Sequence, residues 1–193
     1  MIPARFSRRL ERKLSPFIRK IKISPNAVTI TGFAITSVGA FILALNFLAG
    51  GIVVILGSLM DVMDGMVARV NEKTSALGAY LDSVLDRYSD GFIFLGVAYH
   101  LRTSPSGVFL SLGTLIGAYL VSYTRARAEG LGAECKVGIM ERTERIIVIT
   151  AGALSGLIIP ALWALFIFTH ITVSQRIIRT KRQLVAKKSD ASV

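Results

Sequence analysis

Apolar residues run along this chain in long blocks, separated by Gly, Pro, Asn and clusters of charge. Between residues 4 and 22, Phe6, Leu10, Leu14, Phe17, Ile18 and Ile21 recur at steps of three and four among eight Lys or Arg. That spacing predicts an amphipathic helix with a basic face, lying in the plane of a membrane interface. Pro25 marks a break, with Ser24 or Asn26 available as the next helix cap. Apolar runs near the ~20-residue bilayer-spanning length then recur, predicting six spans at about 27–48, 51–71, 75–101, 107–128, 139–158 and 160–180. The expected fold class is an all-α integral membrane protein: six transmembrane helices preceded by an N-terminal juxtamembrane amphipathic helix. A single membrane domain is expected over residues 1–193, ending in a frayed cytoplasmic tail at 181–193.

Composition sharpens this picture. The 193 residues are 52% hydrophobic, with mean hydropathy +0.59, too apolar for an ordinary soluble domain. Lys and Arg number 23 against 12 acidic residues, a net charge of +11. They cluster at the two ends and beside apolar runs, which suits an anionic membrane surface rather than nucleic acid. Cys135 is the single cysteine, so neither an intrachain disulfide nor a cysteine-rich metal site is expected. The N-terminal stretch lacks the continuous apolar core of a secretory signal and is expected to be retained. An even number of spans puts both termini on one side. Basic residues crowd the N-terminal arm, the 69–74 loop, the 125–145 region and the 176–188 tail, whereas the opposite connections hold only Arg102. The expected location is therefore the cell membrane, with both termini and the Arg-rich loops in the cytoplasm.

Four aspartates interrupt the second and third apolar blocks. Asp61 and Asp64 lie in LMDVMDGMVARV, and Asp82 and Asp86 in LGAYLDSVLDRYSDG. A carboxylate at bilayer depth costs roughly 2.5–3.5 kcal/mol on insertion scales, so a cation is expected to hold them there. The i,i+3 and i,i+4 spacings project each pair from one helix face, and two consecutive antiparallel helices let the pairs converge. Hard oxygen donors without His or Cys suit Mg²⁺ or Mn²⁺, and two such ions would balance four carboxylates in a site suited to displacement at phosphorus. Gly65 and Gly78 leave room for a ligand to approach the backbone. The alternative is structural: some aspartates capping helices or pairing with Arg69 and Arg87. Asp90 continues the row from Asp86 and is placed outside the metal set.

The stretch from Asp61 to Asp86, with Asp61, Asp64, Gly65, Ala68, Arg69, Gly78, Asp82 and Asp86 at set distances, resembles the signature of the CDP-alcohol phosphotransferase family. The resemblance implies transfer of a phosphatidyl-type group from a CDP-lipid, CDP-diacylglycerol or CDP-archaeol, to a hydroxyl acceptor with release of CMP. It implies that Asp61, Asp64, Asp82 and Asp86 hold the metals, with Asp86 as base on the acceptor hydroxyl. It further implies that Asn26, Thr29, Asp61, Gly65, Ala68, Arg69, Ser75 and Gly78 form the CDP-lipid site, and that the protein is a homodimer.

Downstream, Arg125, Arg142 and Arg145 stand at the cytoplasmic ends of the fourth and fifth predicted spans. Guanidinium forks bind phosphate oxygens well, which suggests an acceptor that itself carries a phosphate. This region resembles the family branch that uses inositol 1-phosphate, which implies Ser122, Arg125 and Arg145 as acceptor-phosphate ligands; Arg142 is added from its position alone. The competing readings are glycerol 3-phosphate as acceptor, positive-inside topology alone for the arginines, a divalent-cation transporter using the carboxylates, and a membrane-shaping protein. His100 and His170 are read as interfacial, Trp163 as part of an aromatic belt, and Gly152 with Gly156 as a small-residue packing pair.

Overall fold

The computed structural model describes residues 24–71 and 74–190, so the amphipathic helix expected at 4–22 lies outside the described residues. Six helices follow in order: α1 (Pro25–Leu45), α2 (Phe47–Val70), α3 (Ala76–His100), α4 (Pro105–Gly130), α5 (Arg142–Ser155) and α6 (Ile158–Asp190). Their starts are set locally. Ser24, Asn46, Ser75 and Ser104 each accept a backbone N–H from three residues on, and Pro25 and Pro105 open their helices where an N–H is not needed.

The expectation of six transmembrane helices is corrected here. Among the described residues, four helices are long and apolar enough to cross a membrane: α1, α2, α4 and α6. α3 has the length, but Asp82, Asp86, Arg87 and Asp90 break its apolar run. α5 has 14 residues, about 21 Å at 1.5 Å per residue, against a hydrocarbon core of ~30 Å, and it starts with Arg142, Glu144 and Arg145. The ends shift too. Residues 133–141, partly assigned to the fifth span, are not helical, and the expected frayed tail is helix as far as Asp190.

Neighbouring helices close into a ring: α1 on α2, α2 on α5, α5 on α6, α6 on α4, α4 on α3, and α3 back on α1. Leu43, Val54, Phe94, Val97, Leu110, Ile149, Leu162 and Leu165 fill its interior. Phe41, Val38, Leu45 and Ile116 face outward and exposed, as lipid-facing side chains do. The α1–α2 hairpin is drawn tight by glycine: a Cβ on Gly50 would run into the backbone of Leu43. At that end of the ring His100 stacks on Phe47 and sits 3.1 Å from the Leu43 carbonyl, so it ties α3 to the hairpin. Gly152 lets α5 reach Ala161 of α6, and Gly156, at φ 74°, ends α5 in the left-handed conformation.

The connection from α4 to α5 is a strap laid on α6. Gln183 pairs twice with the backbone of Glu134, Thr172 Oγ1 accepts the N–H groups of Ile139 and Met140, and Arg176 donates to the Val137 carbonyl. Cys135 is fully buried beneath it with Ala128 and Ala133. Gly50→Ala is expected to destabilise the folded protein by about 1–3 kcal/mol through overpacking, read as a lower melting temperature in detergent. Gly130→Ala, whose Cβ meets nothing within 4 Å, is the control expected to leave it unchanged.

Candidate active site

The four aspartates lie at one end of the ring, where the C-terminal half of α2 meets the N-terminal halves of α3 and α5. Two cavities adjoin there. The larger, about 630 Å³, is walled by apolar residues of α2 and α5 such as Leu59, Val62, Ile146 and Leu154, with Asp61, Asp82, Asp86 and Arg142 at its polar end. The smaller, about 190 Å³, gathers Asn26 and Thr29 of α1, Asp64, Gly65, Ala68 and Arg69 of α2, and Ser75, Gly78 and Asp82 of α3. Asp82 borders both. Of the eight residues expected to contact a CDP-lipid, seven thus line the small cavity, and Asp61 lines its neighbour.

Local structure explains these positions. Asp61 and Asp64 sit one turn apart on α2, where Asp61 lines the larger cavity and Asp64 the smaller. Gly32 of α1 makes room for Asp61, since a Cβ there would come within 2.5 Å of its Oδ1. Ser75 caps α3 by accepting the Gly78 N–H at 3.0 Å, which leaves its own hydroxyl proton free to donate into the small cavity. A side chain at Gly78 would press on Ser75 Oγ and on Asn26 Oδ1, at 3.0 and 3.2 Å.

Charge compensation among the described residues comes chiefly from α5, with Arg87 of α3 adding a longer ion pair to Asp86 at 3.6 Å. Arg142 bridges two carboxylates, with Nη2 at 2.8 Å from Asp61 Oδ2 and Nη1 at 2.8 Å from Asp86 Oδ1. Arg145 is almost wholly buried and bonds Asp90 at 2.5 Å; Arg142 Nε approaches the same carboxylate at 3.7 Å. Asp90, which sequence reasoning placed outside the metal set, is therefore the buried anion that links the two arginines. Arg125 pairs with Glu129 and reaches Glu141, and Glu141 in turn holds Arg176 at 3.2 Å. Ser122 turns back to its own helix, bonding the Ala118 carbonyl. The structure thus joins Arg142 to Arg145 through Asp90, and Arg125 to Arg176 through Glu141, while the Ser122 hydroxyl donates within its own helix. Arg176 was missed as a site residue. A charged residue followed at once by Ile177 and Ile178 in an apolar helix was the available signal.

The donor chemistry suits a divalent cation. All four aspartates offer hard oxygens, and Asp64 Oδ2 is buried with no hydrogen-bond partner among the described residues. The expected convergence of the four is not present in this arrangement: among the described residues no three carboxylates stand together in metal-holding geometry, and a guanidinium lies between Asp61 and Asp86.

Known proteins resemble this chain in both sequence and overall fold. The sequence pattern of the family described as CDP-alcohol phosphatidyltransferase matches residues 22–179. A protein of Methanothermobacter thermautotrophicus named archaetidylinositol phosphate synthase is 37% identical over 182 residues, covering 91% of this chain and 92% of that one. A phosphatidylinositol phosphate synthase of Streptomyces avermitilis is 33% identical over 196 residues, 92% of this chain and 80% of that one. The crystal structure of Mycobacterium tuberculosis phosphatidylinositol phosphate synthase with CDP-DAG bound matches with TM-score 0.77 and 31% identity, over 92% of this chain and 94% of that one. The same enzyme in complex with manganese and citrate gives TM-score 0.80 at 29% identity, over 88% of each chain. Four bilayer-length apolar helices and a family match along most of the sequence lead to one conclusion: the chain belongs to the CDP-alcohol phosphatidyltransferase family, as a multi-pass membrane transferase of phospholipid biosynthesis.

Proposed function

We propose that this enzyme transfers the phosphatidyl-type group of a CDP-lipid to the hydroxyl of inositol 1-phosphate and releases CMP. The observation that carries this reading is the pair of cavities meeting at Asp82, one polar and glycine-lined, the other apolar-walled with Arg142 at its polar end. The first suits the cytidine diphosphate moiety. The second suits lipid tails along α2 and α5 together with a phosphorylated acceptor near the arginines. The names of the relatives, archaetidylinositol and phosphatidylinositol phosphate synthases, favour inositol 1-phosphate over glycerol 3-phosphate.

Asp61, Asp64, Asp82 and Asp86 are the residues that would hold Mg²⁺ or Mn²⁺. Bound there, two such ions would neutralise the diphosphate and the charge that develops on departing CMP. The chain's own residues do the rest. Asn26, Thr29 and Ser75 offer hydrogen bonds in the small cavity, and Gly65 and Gly78 admit the ligand close to the backbone. Asp86 accepts the proton of the acceptor hydroxyl as its oxygen bonds to the lipid-side phosphorus, and the bond from that phosphorus to the CMP oxygen breaks. Arg142, backed by Arg145, receives the acceptor's own phosphate, while Arg125 supplies further positive charge nearby.

The reading also orients the molecule. The end of the ring with the site carries Arg69, Arg125, Arg127, Arg179, Lys181 and Arg182, whereas the far connections carry Arg102, so the site opens toward the cytoplasm. Among the described residues no carboxylate lies at the far end, which leaves a transport path without an acidic relay.

Purified protein in detergent is expected to release CMP from CDP-DAG with inositol 1-phosphate and Mg²⁺ or Mn²⁺, and to stop when EDTA is added. Release with glycerol 3-phosphate alone would overturn the acceptor and keep the family chemistry. Asp86→Asn is expected to lower CMP release by about 100-fold or more, the ordinary worth of a positioned base, while CDP-DAG still binds in a direct binding assay. Turnover that survives the substitution would remove the base assignment.

A further inference from the structure

Arg142 holds two carboxylates that the proposed function gives to a divalent cation. Each Nη group lies 2.8 Å from one of them, Nη2 from Asp61 and Nη1 from Asp86, so both ends of the fork are engaged. Its Nε is different: it is buried, has no hydrogen-bond partner among the described residues, and stands 3.7 Å from Asp90 Oδ1. Asp90 is itself 2% exposed, and its other oxygen is taken by Arg145.

We infer that Arg142 and the divalent cation compete for Asp61 and Asp86, and that cation binding hands the Arg142 guanidinium over to Asp90. The inference rests on the cation reading of the aspartates given above. Its physical ground is that the guanidinium sits in the space between the two carboxylates, against one oxygen of each, and that a second cation brought to the same oxygens in a poorly solvated site is repelled by it. The displaced side chain has a destination within reach. A shift of Nε toward Asp90 gives a hydrogen bond to a buried donor that now lacks one, and buried N–H groups without partners are rare in folded proteins. The backbone need not follow. Arg142 is the first residue of α5, and the strap before it is stitched to α6 through Thr172 and Arg176, so the movement is confined to the flexible stem. Once on Asp90, Arg142 stands beside Arg145 with its Nη groups released. The acceptor's phosphate then meets an unoccupied fork only after the cation is in place, so cation precedes acceptor. Arg142 is a positioning residue for the metal and, in turn, a binding residue for the acceptor.

The test is Mn²⁺ affinity of the full-length protein in detergent, without substrates, followed by electron paramagnetic resonance of the free ion. Arg142→Gln is expected to bind Mn²⁺ at least about fivefold more tightly than the unaltered protein, the low end of ordinary coupling between two ligands. Arg142→Lys keeps the charge and loses the planar fork. It too is expected to tighten Mn²⁺ severalfold, whereas a mere field effect would leave it unchanged. Arg125→Gln, whose partners are Glu129 and Glu141 rather than the four aspartates, is expected to stay within about twofold. Unaltered affinity in Arg142→Lys overturns the competition. Absence of Mn²⁺ binding in every form overturns both the competition and the cation reading. Tightened binding in the two Arg142 variants, from a protein that releases no CMP with any acceptor, upholds the competition and sinks the proposed reaction alone.

Discussion

Burying anions inside a ring of apolar helices is unfavourable unless positive charge is placed against them, and that constraint organises this protein. Asp61, Asp64, Asp82, Asp86 and Asp90 lie on two adjacent helices, and the shortest ion pairs to Asp61, Asp86 and Asp90 come from the start of a third, α5, with Arg87 adding a longer one to Asp86. A pair such as Asp90 with Arg145, each nearly inaccessible to water, adds little net stability over a well-packed apolar pair. It nevertheless becomes costly, by about 3–5 kcal/mol, when one partner alone is removed. The pair therefore fixes where α5 begins more than it strengthens the fold. A helix carrying Arg142 and Arg145 in its first turn has one favourable position, with that turn against the aspartates of α3.

The strap before α5 serves the same end. Thr172, Arg176 and Gln183 hold residues 134–140 on α6, and the buried Arg176 also reaches the Val121 carbonyl of α4 at 2.5 Å. Gly138, at φ 129°, occupies a backbone region that other residues rarely adopt, and its missing side chain allows Thr172 to come close. The position of Arg142 is thus determined from both sides: by carboxylates ahead of it and by a connection with little freedom behind it.

The pairing of the aspartates on the faces of two neighbouring helices was legible in the sequence because its information is local, whereas their convergence on one point is not present among the described residues. Spacings of three and four residues decide which side chains share a helix face, and a short loop decides that α2 and α3 are antiparallel neighbours. Asn26, Thr29 and Ser75 were instead implied by the family resemblance, and they line one cavity with Asp64 and Gly78 because α1, α2 and α3 are consecutive and packed together. What could not be read is long-range. Asp61 and Arg142 are 81 residues apart, Asp90 and Arg145 are 55 apart, and no pattern along the chain announces either partner. Asp90 looked like the fading end of a row, and Arg176 like part of a basic tail. The span count failed because apolar runs were counted as spans across charge and helix breaks: the ionic residues of α3 and the 14-residue length of α5 leave four helices long and apolar enough to cross among the described residues. Ser122, expected beside the acceptor phosphate, spends its hydroxyl on its own helix.

Cys135 gives the strap a property of its own. It is the single thiol in the sequence and is fully buried between the strap and the end of α4, with Thr180 of α6 beside it at 3.9 Å. A maleimide or disulfide reagent can reach it only while the strap is lifted from α6. Its labelling rate therefore follows the opening equilibrium of the segment that positions Arg142, separately from unfolding of the apolar ring. The molecule carries a built-in chemical probe at the point where that motion would show.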